Sequence, residues 1–373
     1  MSIDSRHQGR THRAQAPHAP ATRRHSLLAL AAAVMGWGLG PLRADAVGWS
    51  HAQASAKPSV RQPVVLALSQ RHSLCHLPLL LAQTLGFFDL EGVALNVQEF
   101  DSDESALKAV SRGGASLAAC DYAVLLSQQA KGLDWRSLVV QTRTPQVVLG
   151  AWPRLHPDIR GVQDLRGRRV GVLPSGPGVT VLDAALRRHS MVLGDVMLMP
   201  MRQASDVIHA YRTGQVDAFS LNDKAVAGLE QAGMVRVLAD TRSLRDTREL
   251  FGNLLPGAVI CAPGIWGAEQ DWLAQKVVNA VVHALKWIQT AGPSDLIKVM
   301  PEADLLPDHA VFLAAFEKAR EGFSVDGWMS DQAASTALRI RSQQEPALRV
   351  ARVDVARTFT NEFAQRAKLR FRV

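Results

Sequence analysis

The chain has 373 residues, of which 47% are hydrophobic and 20% charged, a composition typical of a globular protein long enough for two domains. Its formal net charge is +8, but half of this excess lies in residues 1–46, which hold six arginines and two aspartates. The remainder has no lysine cluster and no basic stripe interleaved with aromatic residues. We therefore expect no nucleic acid among its partners.

The first 46 residues have the organisation of an export signal. A polar, basic segment precedes an apolar run at 27–42, and Ala-Asp-Ala at 44–46 supplies the small residues of a cleavage site. Arg23 and Arg24 resemble the pair of a twin-arginine (Tat) signal, with Sec export as the other route. We expect cleavage near Ala46 and a periplasmic location, and a retained membrane anchor is the alternative.

A flexible linker, predicted from the Ala-, Ser-, Gln- and Pro-rich composition of 47–62, precedes an alternation of strand and helix patterns. Apolar runs at 64–68 and 94–100 predict strands, and the leucines between 77 and 85 predict a helix. Asp101, with Glu104 in the capping-box position, is expected to begin the next helix. This α/β alternation favours a parallel sheet.

A second α/β unit is predicted inside the first, and residues 166–188 are its most informative stretch. A short apolar strand at 170–173 leads through a Gly/Ser/Pro loop directly into a helix. Such a joint leaves backbone N–H groups unpaired at the positive end of the helix dipole, where a polar ligand can bind. A tight turn that binds nothing is the alternative, because no GxGxxG or GxxxxGK[ST] pattern is present.

The chain is expected to return to the first unit at the apolar segment 258–262. The longest predicted helix follows, with a wide apolar face from Val277 to Ile288.

The three cysteines, Cys75, Cys120 and Cys261, form an odd set without CxxC spacing. They predict neither a metal cluster nor a disulfide scaffold, and they allow at most one bridge. We expect single buried thiols, no metal ion and no cofactor.

Residues 76–88 resemble the first helix of the nitrate/sulfonate/taurine and pyrimidine-precursor type of solute-binding proteins of ABC transporters. Three later segments, 214–218, 235–242 and 355–363, are similar to the same family in the same order. The resemblance therefore extends over nearly the whole chain after the linker.

The resemblance implies a type II periplasmic-binding-protein fold, in which two α/β lobes enclose a ligand cleft. Lobe 1 would comprise 63–145 and 257–373, and lobe 2 would comprise 146–256, with crossings near 141–150 and 255–262. It also implies that a monomeric receptor captures a small solute and delivers it to a membrane permease driven by a separate ATPase subunit.

In lobe 1, polar side chains that follow strand ends are the predicted ligand contacts, because ligands bind at the carboxyl ends of strands in open α/β sheets. These residues are Ser69, His72, Ser73, His76, Asp121 and Tyr122. An acidic Asp121 in the cleft favours a ligand with a donor or cationic group. The alternatives are loop histidines bonded to solvent or backbone, and an Asp121 that only caps the next helix.

In lobe 2, the predicted contacts lie in the loop before the helix and at the end of a later strand. They are Ser175, Gly176, Gly178, Thr180, Asn222 and Asp223. The resembled family has a Pro-Gly step followed by small hydroxyl residues, and here Thr180 keeps a hydroxyl whereas Val179 does not. That departure weakens the case for a small oxyanion, which needs a ring of donors.

Two other functions are compatible with this fold, namely a synthase-like enzyme and a ligand-sensing receptor. The synthase-type reaction of the resembled family involves a Cys-rich motif and a cofactor-bound lysine. In this chain the cysteines are scattered, and Lys224 is the only lysine near the predicted lobe 2 cleft. No nucleophile elbow or HExxH motif is present, so we expect no enzymatic activity.

Overall fold

The computed structural model describes residues 61–373 except 175, 223, 225, 265–267, 303–304 and 306–307. The predicted export signal and residues 47–60 of the predicted linker lie outside the described residues. The strands are β1 Gln62–Ser69, β2 Val93–Phe100, β3 Leu117–Asp121, β4 Trp135–Val140, β5 Val148–Ala151, β6 Arg169–Val172, β7 Met197–Pro200, β8 Ala218–Leu221, β9 Arg236–Asp240 and β10 Ala258–Pro263.

Fourteen α-helices are present in this described part of the chain. They are α1 Leu77–Thr84, α2 Phe87–Leu90, α3 Asp103–Ser111, α4 Tyr122–Ala130, α5 Gly178–Arg188, α6 Ala204–Arg212, α7 Val226–Gln231, α8 Leu244–Phe251, α9 Ala268–Thr290, α10 Pro293–Val299, α11 His309–Ala319, α12 Asp331–Gln344, α13 Pro346–Ala351 and α14 Glu362–Phe371. Within these ranges, no helix combines the length and apolar character that a membrane crossing requires.

The first sheet has the strand order β2-β1-β3-β10-β4. The strands β1, β2 and β3 pair in parallel, as the alternation predicts, but β10 runs antiparallel to β3 and β4. The predicted parallel pairing thus holds for the first three strands, and the antiparallel course of β10 was not predicted. The reason is that β10 arrives from the second sheet and not through a helix on the face of the first sheet.

The second sheet has the order β7-β6-β8-β5-β9, with β5 antiparallel to β8 and β9. The chain passes from the first sheet to the second between Val140 and Val148, and it returns between Asp240 and Ala258. All five strands of the second sheet therefore lie between β4 and β10 of the first sheet.

Helix α9 supplies the core of the first lobe, as its sequence pattern predicts. Val277, Val281 and Leu285 are fully buried and belong to one apolar cluster with residues of β1 and α1. The helix also packs against α14, which brings the C-terminal end of the chain onto the first lobe.

The strand and the helix predicted on either side of residue 175 are present as β6 and α5. Gly178 begins α5 so close to β8 that an added Cβ would lie 2.5 Å from the carbonyl oxygen of Ser220. Only a glycine therefore lets this helix start so near the neighbouring strand. The predicted start of α3 is wrong by one residue, because Ser102 and not Asp101 caps it, accepting a hydrogen bond from Ser105 N–H.

A buried carboxylate joins the two central strands of the second sheet, and removing it should cost stability. Asp217 accepts hydrogen bonds from the backbone N–H of Arg169 at 2.8 Å and from its Nη2 at 2.6 Å. We expect Asp217→Ala to lower the free energy of unfolding by about 1–3 kcal/mol, because it leaves these donors unpaired. Chemical denaturation measures the loss.

The matched control is Asp89→Ala, which removes an ion pair with Arg61 in which both side chains are about half exposed. That change should cost less than about 1 kcal/mol. Equal losses in the two variants would contradict a structural role for Asp217.

Candidate functional site

The loops after several strands of both sheets face one another across a cleft with two adjoining cavities. The inner chamber has a volume of about 20 Å³ and is lined by Ser69, Gln70, Cys75, His76, Asp103, Asp121, Pro145, Gly176, Pro177, Asn222, Gly257 and Ala258. The outer groove has a volume of about 710 Å³ and is lined by residues 70–73, 99, 101–102, 173–174, 202–206 and 222. Gln70 and Asn222 line both cavities and therefore lie where the chamber adjoins the groove.

Two carboxyl groups form the acidic wall of the inner chamber. Asp103 is 4% exposed, and it accepts hydrogen bonds from Ser69 Oγ and, at 2.8 Å, from the backbone N–H of Asp121. The Oδ1 atom of Asp121 accepts the N–H of Ala123 at 2.8 Å. Burial raises the pKa of Asp103, and burial together with the charge of Asp103 raises the pKa of Asp121 to about 7.

The His76 side chain supplies a hydrogen-bond donor to the chamber, because its ring is neutral and has its proton on Nε2. Gln141 Oε1 accepts the N–H of Leu79 at 3.3 Å, which turns the Gln141 Nε2 amide group toward His76 Nδ1 at 3.4 Å. Nδ1 therefore accepts, and the proton of the neutral imidazole lies on Nε2. Burial lowers the pKa of His76 to about 4, so the ring is uncharged near neutral pH.

The second lobe contributes the start of α5 and the end of β8. Gly176 and Pro177 line the chamber, and α5 begins at Gly178 with Pro177 as an N-cap residue that accepts no side-chain hydrogen bond. Gly176 has a φ of +96°, a conformation that favours glycine.

Hydrogen bonds between the lobes hold the cleft closed. Ser73 Oγ donates to the carbonyl oxygen of Asn222 at 3.2 Å. Thr180 Oγ1 donates to Oε1 of Gln344 in α12 at 3.1 Å, and the Nε2 of the same glutamine donates to Asp183 at 3.3 Å. The small volume of the inner chamber follows from this closure.

The structure brings many of the predicted site residues together. Ser69, His76, Asp121, Gly176 and Asn222 line the inner chamber, whereas His72 and Ser73 line the outer groove. The alternative that Asp121 caps a helix also holds, because the same side chain caps α4. Ser175 and Asp223 lie outside the described residues.

Three predicted residues do not line the chamber. Tyr122 is fully buried in the core of the first lobe, and its hydroxyl bonds to Thr358 Oγ1 at 2.5 Å, which removes it from the candidate contacts. It is the first residue of α4, so its ring extends away from the Asp121 cap. The Thr180 hydroxyl donates its hydrogen bond to Gln344. The carbonyl oxygen of Gly178 accepts one from Ser220 Oγ.

Asp103 and Gln141 are the most important residues that the sequence analysis misses. Asp103 follows the end of β2 by three residues, and this position was the available signal. Gln141 had no signal, because its role depends on a contact with His76, 65 residues away.

The three cysteines are free and buried, in agreement with the sequence analysis. Burial raises the pKa of Cys75 to about 12, so its sulfur is a thiol. Across the described ranges, no group of three or more His, Cys, Asp or Glu side chains is placed to hold a metal ion.

The raised pKa of Asp121 gives the protein a measurable pH dependence. Between about pH 4 and pH 7 the folded protein binds a proton at Asp121 that the unfolded chain releases, so this group makes the unfolding free energy fall as the pH rises. We expect a smaller fall over this window in Asp121→Asn. Chemical denaturation of wild type and variant at several pH values gives the difference.

Asp308→Asn is the control, since Asp308 caps α11 through the same contact, at 2.8 Å to Ala310 N–H, but is exposed. Its pH profile should follow that of the wild type. Parallel profiles for Asp121→Asn and the wild type would show that burial of the Asp121 carboxyl is unimportant.

Comparison with known proteins agrees with this geometry. A family model described as NMT1/THI5 like matches residues 74–290. A structure from Bordetella bronchiseptica RB50 is similar at 35% sequence identity and a TM-score of 0.75, covering 83% of this chain and 98% of that chain. No curated protein sequence matches the chain.

Two more distant structures share the fold. The alkanesulfonate-binding protein SsuA from Xanthomonas axonopodis pv. citri, bound to MOPS, is 18% identical with a TM-score of 0.64, covering 82% of this chain and 99% of that chain. The periplasmic nitrate-binding protein NrtA from Synechocystis PCC 6803 is 12% identical with a TM-score of 0.59, covering 83% of this chain and 89% of that chain. The predicted periplasmic-binding-protein fold is thereby confirmed.

Proposed function

Because this chain belongs to the NMT1/THI5-like family, we propose that it is an exported receptor that captures a small polar solute between its lobes and delivers it to an ABC transporter permease. One observation carries the proposal: strand-end loops of both sheets converge on a closed polar chamber. Ligands of open α/β sheets bind at this position.

An exported, periplasmic, monomeric receptor is part of this proposal. The arginine-containing leader at residues 1–46 supports export, and the similar structures include proteins described as periplasmic. The ATPase subunit that powers the permease is a further partner under this proposal.

We favour a receptor over an enzyme because the chamber holds no activated nucleophile among its described residues. The Cys75 sulfur is protonated and contacts Ser73 Oγ at 3.3 Å. The neighbouring His76 ring is engaged with Gln141, so no general base is paired with the thiol. A sensor would use the same closure, and stimulation of a transporter ATPase by the loaded protein distinguishes transport from sensing.

Solute binding should depend on a contact that closes the lobes but involves no residue of the chamber lining. Gln344→Ala removes the bond between α12 and Thr180, which favours the open form. We expect about 2- to 10-fold weaker binding, the equivalent of one net hydrogen bond. A thermal-shift panel of alkanesulfonates, nitrate, pyrimidines, alcohols and alkylamines finds a ligand, and calorimetry measures its affinity for both proteins.

Gln343→Ala is the matched control, because Gln343 is the exposed neighbour of Gln344 on the same helix. It should bind the ligand as the wild type does. A panel without a single stabilising compound would contradict the binding function, and equal affinity in Gln344→Ala would contradict coupling to lobe closure.

A further inference from the structure

We propose that the inner chamber receives a neutral hydroxyl group of the solute, which donates a hydrogen bond to Asp121 and accepts one from His76. This inference rests on the proposed binding function and names the chemical class of solute that the cleft selects. It departs from the anions named for the similar SsuA and NrtA structures.

The described lining of the chamber offers no cationic partner for an anion. Asp103 and Asp121 both line it, and its described lining contains no arginine or lysine. His76 is neutral, so no side chain in this lining neutralises a sulfonate or nitrate group. An oxyanion placed here would lie beside two carboxyl groups, with no arginine or lysine of the described lining to pair with it, and taking it out of water would be costly.

The size of the chamber also limits the group that enters it. A cavity needs roughly 10–15 Å³ to hold one water molecule, and the chamber has about 20 Å³. A hydroxyl group has the size of a water molecule, whereas a sulfonate carries three oxygens on one sulfur. The rest of the solute would extend past Gln70 and Asn222 into the outer groove.

The hydrogen-bonding groups that face the chamber then distinguish a hydroxyl from an ammonium group. His76 is 3% exposed and lines the chamber, and because Gln141 contacts its Nδ1, the ring has its N–H donor at Nε2. Asp121 uses Oδ1 to cap α4, and Oδ2 is its second acceptor atom. A hydroxyl satisfies both groups, because it donates and accepts, whereas an ammonium group only donates and leaves the buried His76 N–H unpaired.

Three probes with a common body test the proposal on the purified protein: 3-phenylpropan-1-ol, 3-phenylpropylamine and 3-phenylpropane-1-sulfonate. We expect calorimetry to show the tightest binding for the alcohol. Asp121→Asn and His76→Phe should each weaken its binding about 10- to 100-fold, as expected when a buried hydrogen-bonding group is left without its partner. The Asp308→Asn control should bind the alcohol as the wild type does.

His76→Gln is the second variant, because its side-chain amide places an N–H near the position of Nε2. It should recover most of the affinity that His76→Phe loses, and thermal melting confirms that both variants fold. Equal losses in the two folded variants would contradict a donor role for His76.

Other results separate this proposal from the binding function. Tighter binding of the amine or the sulfonate would overturn the hydroxyl preference while supporting a receptor. If none of the three probes binds but a compound of the wider panel does, the hydroxyl preference is again wrong. If no compound binds at all, both proposals fail.

Discussion

The buried carboxylate of Asp103 ties together the ends of three strands, and the cleft depends on it. Asp103 follows β2, one of its oxygens accepts the hydroxyl of Ser69 at the end of β1, and the other accepts the backbone N–H of Asp121 at the end of β3. The same contacts place two carboxyl groups side by side in a buried wall, which is why their pKa values rise. The acidity of the chamber is thus a consequence of how the sheet edge is held.

Much of the fold could be predicted from local patterns. The apolar runs of β1 and β6, the Gly/Pro loop before α5 and the apolar face of α9 each depend on residues close in sequence. Strand direction has no such local signal, so the antiparallel courses of β5 and β10 were not predicted. They follow from the two passages of the chain between the sheets.

The candidate site was predictable only where a polar residue lies at the end of a strand. Ser69 and Asp121 meet that condition, but Asp103 reaches the chamber because β1 lies between β2 and β3, which is a long-range pairing. Tyr122 adjoins Asp121 in sequence and still points into the core, where Thr358 bonds to it from 236 positions away. The direction of a side chain at a helix start depends on the packing of that helix and not on its neighbours in sequence.

The two ion pairs formed by Glu230 differ in strength. Glu230 and Arg242 form a mostly buried ion pair within the second lobe, whereas Lys318 of the first lobe reaches Glu230 with its own side chain 47% exposed. The inter-lobe pair is therefore worth little, and the buried pair remains intact when the lobes separate. The hinge can open without leaving a charge unpaired in the interior.

The place of β10 between β3 and β4 also dictates the order in which the molecule can be assembled. On the ribosome, β3 and β4 emerge before the entire second sheet, when β3 has only β1 beside it and β4 has no partner strand until β10 follows. Until β10 is synthesised, the nascent first lobe has unpaired strand edges, which favour aggregation and slow folding. The inserted lobe, whose strands are contiguous in the chain, is free to fold first.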